Sequence, residues 1–244
     1  LAGEMFFVTS RWAEMRAPGR EPADALAFAE RAQYPLFCKP ISASNGLFAE
    51  VIEDKAAFAD YMVRVAREHF AILAQPYLRG DEHRVFVLNG RALFSYRKSL
   101  PVVVGDGERS VRALVMALAR DNGGPIERTR ARRPDGTLAG LETVPEPGQT
   151  LVIEGPANRS AGGGASDFAA SAPPALAELA VRACATLGLA LAGVEISDLS
   201  PARDHSALAI IEVNSNPMIE TLEDNGRWDL IGAIWRANFE AALR

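Results

Sequence analysis

Arg84-Val85-Phe86-Val87-Leu88-Asn89-Gly90-Arg91-Ala92-Leu93-Phe94-Ser95-Tyr96 sets two runs rich in β-branched and aromatic residues on either side of an Asn-Gly pair. Both central residues of a type I′ turn need positive φ, and Asn-Gly supplies them, so the stretch predicts an antiparallel hairpin. Downstream, Pro101 to Val104 is extended and runs into Gly105-Asp106-Gly107, after which Ser110 caps a helix carrying Val111, Leu114, Val115 and Leu118. From Asp121 to Gln149 apolar density falls, and loops with one short helix are expected there. Thr150 to Glu154 restores a strand; Pro173 and Pro174 open a helix closed by Gly188. Leu189 to Ser197 and Leu208 to Asn214 are two more strands, and a last helix carries Leu230, Ile234 and Phe239. Upstream, Pro22 opens a helix with Leu26, Phe28, Ala29 and Ala32 at helical spacing, followed by a buried strand from Tyr34 to Lys39. A small polar turn, Ser42 to Gly46, leads into extended chain from Leu47 to Ile52. Asp54 then caps a helix with Phe58, Met62, Val65 and Ala66 on one face, and Ala71 to Tyr77 is the next strand. Strands outnumber helices and come as hairpins, which gives an α+β class with antiparallel sheets rather than a doubly wound parallel one.

The chain has 244 residues, 48% of them apolar, enough for one or two domains with sizeable cores. Its 26 Lys and Arg against 31 Asp and Glu give a net charge of −5, which argues against nucleic acid as the default partner. No apolar run reaches the length of a membrane span and no leader opens the chain, so a cytoplasmic, reducing compartment with no membrane partner is expected. Cys38 and Cys184 lie in apolar patterns and read as small buried residues, not as a disulfide pair. His69, His83 and His205 are far apart in sequence and read as solvated or packing residues, which leaves zinc without support. The P-loop signature is missing, and Gly105-Asp106-Gly107 is not completed to a dinucleotide fingerprint.

The polar residues at strand ends carry the remaining chemistry. In Ile211-Glu212-Val213-Asn214-Ser215-Asn216-Pro217, alternation puts Glu212, Asn214 and Asn216 on one face, and Glu195 sits in the neighbouring predicted strand. Two carboxylates and an amide oxygen suit a hard dication such as Mg²⁺; equally, they suit the solvated face of an edge strand. Lys39 ends an apolar strand before a loop of small residues, where it either reaches phosphate as a point charge or snorkels to solvent. Asn158 to Gly164 is a flexible loop or an anion-binding nest. Arg128, Arg130, Arg132 and Arg133 form either a solvated run or a clamp for acidic substrates.

Taken in order, these pieces resemble the ATP-grasp superfamily, and most closely the ligase domains of cyanophycin synthetase and of bifunctional bacterial glutathione synthetase. Tyr34-Pro35-Leu36-Phe37-Cys38-Lys39-Pro40 resembles the P-[hydrophobic]-K-P strand, and Ser42 to Leu47 the S-x-N-x-G-L lid. Gln75-Pro76-Tyr77-Leu78 resembles the interdomain hinge, and Gly80-Asp81-Glu82 with Arg84 to Val87 the G-x-E-x-R-x-x-V strand. Arg97-Lys98 with Val104 to Gly107, then Asn158 to Asp167, and finally Gly193-Val194-Glu195 with Glu212 to Pro217, complete the set over nearly the whole chain.

The resemblance implies an ATP-grasp fold: two α+β lobes clasping ATP, residues 1–79 as a partial N-terminal lobe with lid 42–48 and hinge 75–79, and residues 80–244 as the C-terminal lobe. It implies a carboxylate–amine ligase, ADP-forming, acting through an acyl phosphate on amino-acid or peptide substrates; the alternative is a nucleotide-binding module without catalysis. Lys39, the lid residues Ser44, Asn45 and Gly46, the hinge residues Gln75, Tyr77 and Leu78, Glu82 and Asn216 would bind ATP. Glu195, Glu212 and Asn214 would hold two Mg²⁺ ions, while Arg97 or Lys98, with Gly162 and Gly163, would stabilise the transferred phosphoryl group. Glu195 stands where the family has Asp, and Gln75 where it has an acidic residue. The family's preceding domain, with its further phosphate-binding Lys, is expected as an N-terminal partner domain of the same polypeptide. Association with a second copy is an analogy from relatives.

Overall fold

The computed structural model describes residues 4–7, 22–42, 46–122, 130–154 and 164–243. Their strands form three sheets and fall into two units, Leu1–Tyr77 with Leu100–Gly164, and Leu78–Ser99 with Ala165–Arg244. The chain therefore passes between units at Tyr77/Leu78, Ser99/Leu100 and Gly164/Ala165, where the sequence reading has a single division after residue 79.

In the first unit, β1 (Glu4–Phe7), β2 (Leu36–Pro40), β3 (Glu50–Ile52) and β4 (Ala71–Pro76) make a sheet of order β1-β4-β2-β3. Helices α1 (Pro22–Arg31) and α2 (Lys55–Val65) supply its core: Ala25, Ala29, Phe58, Tyr61 and Val65 pack with Leu36, Cys38, Ile72 and Ala74. Asp54 caps α2 as expected, its carboxylate accepting a hydrogen bond from the Ala57 N–H at 2.8 Å. On α2, Arg64 donates to both carboxylate oxygens of Glu50, at 2.8 and 2.6 Å, and so ties the helix to β3. The extended run expected from Leu47 shortens to Glu50–Ile52, because Gly46 and Phe48 take φ of 72° and 56° and form a turn.

The second sheet of this unit has the order β7-β10-β8-β9, from β7 (Val102–Val104), β8 (Arg130–Arg132), β9 (Leu138–Ala139) and β10 (Thr150–Glu154). Val111, Leu114 and Val115 of α3 (Val111–Asn122) pack on Val103, Ala131, Leu151 and Ile153. Ser110 caps α3 through Oγ, 3.3 Å from the Ala113 N–H. Between residues 121 and 149, where loops and one short helix are expected, the described residues form β8 and β9, and residues 123–129 lie outside the described residues. Gly105-Asp106-Gly107 has a structural role: a Cβ on Gly105 would lie 2.2 Å from the Glu146 carbonyl oxygen, and the Asp106 carboxylate accepts the N–H groups of Glu108 and Arg109 at 2.9 and 2.8 Å.

The second unit contains the predicted hairpin. Strands β5 (Asp81–Leu88) and β6 (Arg91–Ser99) pair antiparallel across Asn89 and Gly90, whose φ values are 49° and 74°. With β11 (Gly164–Ala169), β12 (Leu191–Asp198) and β13 (Leu208–Asn214) they form a sheet of order β11-β6-β5-β12-β13. One face meets α4 (Pro174–Leu187), where Val85, Val87, Val194 and Ile196 pack on Leu176, Ala180 and Cys184. On the other face, Phe86, Phe94 and Tyr96 pack on Leu222 of α5 (Glu220–Asp224) and Ile234 of α6 (Trp228–Ala242). Gly188 ends α4 in the left-handed conformation at φ 68°, as its place after the apolar run predicts. Gly164, the last residue of the expected loop, opens a strand, Gly164–Ala169, beside β6.

Candidate functional site

Register decides which side chains share a face of the five-stranded sheet. Glu195 on β12 stands opposite Glu212 on β13, and Gly193 opposite Asn214, so Glu195, Glu212 and Asn214 are brought to one side as expected. Glu82 of β5 stands opposite Lys98 of β6, and Arg84 opposite both Tyr96 and Glu195. The resulting cluster is largely dry. Lys98 donates to Glu82 and, at 3.1 Å, to Glu195 Oε2, while Arg84 Nη1 lies 3.4 Å from Glu195 Oε1. The side chains of Lys98 and Glu195 are only 8% and 11% exposed.

Charge at the cluster follows from this packing. Burial, reinforced by the neighbouring Glu195, pushes the Glu82 carboxyl above its ordinary pKa against the pull of Lys98. Burial acts the same way on Glu195, but Lys98 and Arg84, with a hydrogen bond shared with Glu82, hold that carboxyl below its ordinary value. Burial alone would lower the Lys98 pKa; Glu195 and Glu82 raise it. Arg84 is absent from the sequence-based site, although its position two residues from Glu82 on one strand face was the available signal. Its guanidinium lies across Gly193, where a Cβ would come 2.8 Å from Arg84 Nε and 2.9 Å from Pro217 Cβ. Glycine there lets Arg84 reach Glu195.

Other expected residues are placed differently. Arg97 stands opposite His83, on the face away from Lys98, and is held by Asp167 at 2.8 Å and Asp81 at 3.9 Å. Alternation thus separates the two cations that sequence left as alternatives, and only Lys98 joins the carboxylates. Asn216 lies beyond the end of β13 in an exposed bend, so the alternation that groups Glu212 with Asn214 does not extend to it. Glu82, assigned to ATP by the resemblance, is engaged by Lys98. Ser44, Asn45, Gly162, Gly163 and Arg128 lie outside the described residues.

In the first unit, Phe37 stands opposite Gln75 and Lys39 opposite Leu73, which puts Lys39 and Gln75 on the half-buried face of that sheet. Tyr77 continues the pairing of β4 with β2: its N–H donates to the Pro35 carbonyl at 3.1 Å and its ring stacks on Phe37 with centroids 6.3 Å apart. Leu78 begins the second unit. Cys38 and Cys184 are both free and buried. The Arg run is committed inside its own unit: Arg130 pairs with Glu53, Arg132 donates to Glu154 at 2.7 Å, and Arg133 donates to the Leu138 carbonyl at 2.7 Å.

No family model matches the chain. The bifunctional glutathione-biosynthesis protein GshAB of Mannheimia succiniciproducens is 32% identical over 216 residues, spanning 77% of this chain and 28% of that protein. Over that stretch the chain is similar to bifunctional glutathione-biosynthesis proteins. GshAB of Enterococcus faecalis is 29% identical over 200 residues, covering 73% of this chain and 26% of the relative. The chain thus spans about a quarter of the length of the curated relatives it matches. Among solved structures, a bifunctional glutathione synthetase from Pasteurella multocida is similar at TM-score 0.37 and 21% identity over 80% of this chain and 29% of that one. The ATP-grasp ligase PsnB, in a complex with a minimal precursor, Mg and ADP, is similar at TM-score 0.41 and 17% identity over 83% of this chain and 44% of that one. No helix among the described residues is long and apolar enough to cross a membrane.

Proposed function

We propose that this chain has the ATP-grasp fold and is the nucleotide-binding and phosphoryl-transfer part of an ADP-forming carboxylate–amine ligase. The observation that carries the proposal is the opposition of Glu195 and Glu212 across β12 and β13, with Asn214 beside them and Lys98 and Arg84 over Glu195. Like charges opposed on a sheet are unfavourable without cations, and an all-oxygen donor set suits Mg²⁺. When bound, Mg²⁺ would neutralise phosphate oxygens as charge builds up during transfer. Glu195, Glu212 and Asn214 would hold it.

The chain's own residues supply fixed charge and orientation. Lys98 and Arg84, already desolvated, keep Glu195 ionised and placed, so that little reorganisation is needed when phosphate arrives. Lys39 serves a phosphate, the main-chain groups from Gln75 to Leu78 serve the base, and Gly46 with Ser44 and Asn45 covers the nucleotide. Glu82 and Asn216 would complete the nucleotide contacts, and Gly162 and Gly163 the contacts to the transferred phosphoryl group. A substrate carboxylate oxygen attacks the γ-phosphorus and ADP leaves; an amine then displaces phosphate from the acyl phosphate, so acid, amine and ATP become amide, ADP and phosphate. No side-chain nucleophile is used. Amino acids or short peptides are the proposed substrates, and the greater length of the relatives supports a further domain on the same polypeptide.

The test is coupled-enzyme detection of ADP and phosphate from the natural full-length protein with Mg²⁺, screened over pairs of amino-acid or peptide acids and amines. Release that needs both partners supports the proposal. Tight ATP binding with no release for any pair in a broad screen would leave a binding module and remove the ligase.

A further inference from the structure

The face of the five-stranded sheet opposite Glu195 carries a second group of metal-competent side chains. His83 stands on β5 opposite Ile196 of β12, and alternation puts it on the same side as Asp198 at the end of β12. The connection from β12 to β13 then folds back: His205 Nδ1 lies 2.8 Å from Asp198 Oδ2, and the His83 and His205 rings meet edge to face with centroids 5.4 Å apart. One ligand atom from each of His83, Asp198 and His205 can be chosen so that all three lie within 4.8 Å of one another. We propose that these three residues form a binding site for a borderline transition dication of the Zn²⁺ type, separate from the Mg²⁺ site.

Donor chemistry selects the ion. Two imidazoles and one carboxylate match Zn²⁺, whereas Mg²⁺ prefers oxygens and its own water. Bonds of about 2.0–2.2 Å imply ligand atoms about 3.4 Å apart in a tetrahedron, so the His205–Asp198 contact would open by roughly half an ångström as metal replaces the bridging proton. Asp198 is fixed for this role from behind: Oδ1 accepts the Ser200 N–H at 2.9 Å and the Ser200 hydroxyl at 2.5 Å, while its side chain is 1% exposed. His205, at 22% exposed, leaves an approach from solvent. The connection reaches this position through left-handed backbone at Arg203 and His205, φ 54° and 60°, a conformation such residues adopt at some cost. Neighbouring charges are otherwise occupied: Asp81 is paired with Arg203 at 3.2 Å and Arg97 at 3.9 Å, and Arg97 is also held by Asp167.

The chain's three histidines make the test self-controlled, since His69 packs edge-on against Phe48 in the other unit. Untagged protein in excess Mg²⁺ is titrated with Zn²⁺ while the imidazole nitrogens are followed by NMR. Saturation near one equivalent, with the His83 and His205 signals shifted and His69 unmoved, supports the site. Zn²⁺ affinity by competition with a chromophoric chelator should fall at least about tenfold in His83→Gln and in His205→Gln, and stay unchanged in Glu212→Gln. Absence of saturable binding, a shift confined to His69, or affinity lost in Glu212→Gln but kept in the histidine variants would overturn it. No arm uses ATP, so the outcome is independent of the ligase proposal.

Discussion

Replacing Lys98 by Met removes the cation shared by two packed carboxylates while keeping most of the side chain's volume. Breaking a buried ion pair by removing one partner costs about 3–5 kcal/mol, because the remaining charge is left uncompensated. Glu195 keeps Arg84 at 3.4 Å and the Glu82 side chain is 23% exposed, so the lower end applies, about 3 kcal/mol at pH 7. The pH dependence has a definite sign. In the parent protein the Glu195 pKa is lowered, and its stabilising contribution is present above about pH 4.5 and lost as pH falls through the lower folded value. Glu82, with a raised pKa, costs stability as pH rises through its ordinary value towards the raised one. Without Lys98 both carboxyls move upward, so the variant's deficit is largest at neutral pH and shrinks as the two groups take up protons. Urea unfolding followed by far-UV circular dichroism at pH 7 and pH 4 measures this. A deficit of about 3 kcal/mol at pH 7, falling below about 1 at pH 4, is expected, and Lys98→Met/Glu195→Gln should recover more than about 1 kcal/mol of it at pH 7. A loss under about 1 kcal/mol at pH 7, or an equal loss at both pH values, refutes the shared-cation account.

Two further perturbations probe the packing beneath the site. Gly193→Ala drives a methyl into Arg84 and Pro217 and should cost about 1–3 kcal/mol in urea unfolding, while Gly90→Ala tests only turn strain because its Cβ meets nothing within 4 Å. Burial, reinforced by Glu50, pushes the Cys38 thiol far above its ordinary pKa. Native protein at pH 8 should therefore leave Cys38 unalkylated by iodoacetamide over hours, as read by peptide mass spectrometry, and alkylate it within minutes in urea.

Asn89-Gly90 declared its hairpin because only a turn with positive φ at both positions uses that pair between apolar runs. The helix carrying Phe58 and the one closed by Gly188 were legible for similar local reasons, a cap and a 3.6-residue period. Strands of three and two residues at Arg130–Arg132 and Leu138–Ala139 are too short to show a period, and they exist because β10 and β8 offer them partners. Gly164–Ala169 has little strand propensity of its own and is recruited beside β6. At the site, alternation alone placed Glu212 with Asn214. Register, a long-range property, was needed to set Glu195 opposite Glu212, to choose Lys98 over Arg97, and to bring His83 to Asp198 and His205.

Calorimetric titration of the chain with ATP, with and without Mg²⁺, tests the assignment most directly. Saturable binding that needs Mg²⁺ is predicted, weakened about tenfold or more by Glu212→Gln, and weakened by Lys39→Ala in the presence of Mg²⁺. ATP binding that ignores Mg²⁺ and survives both substitutions would contradict it.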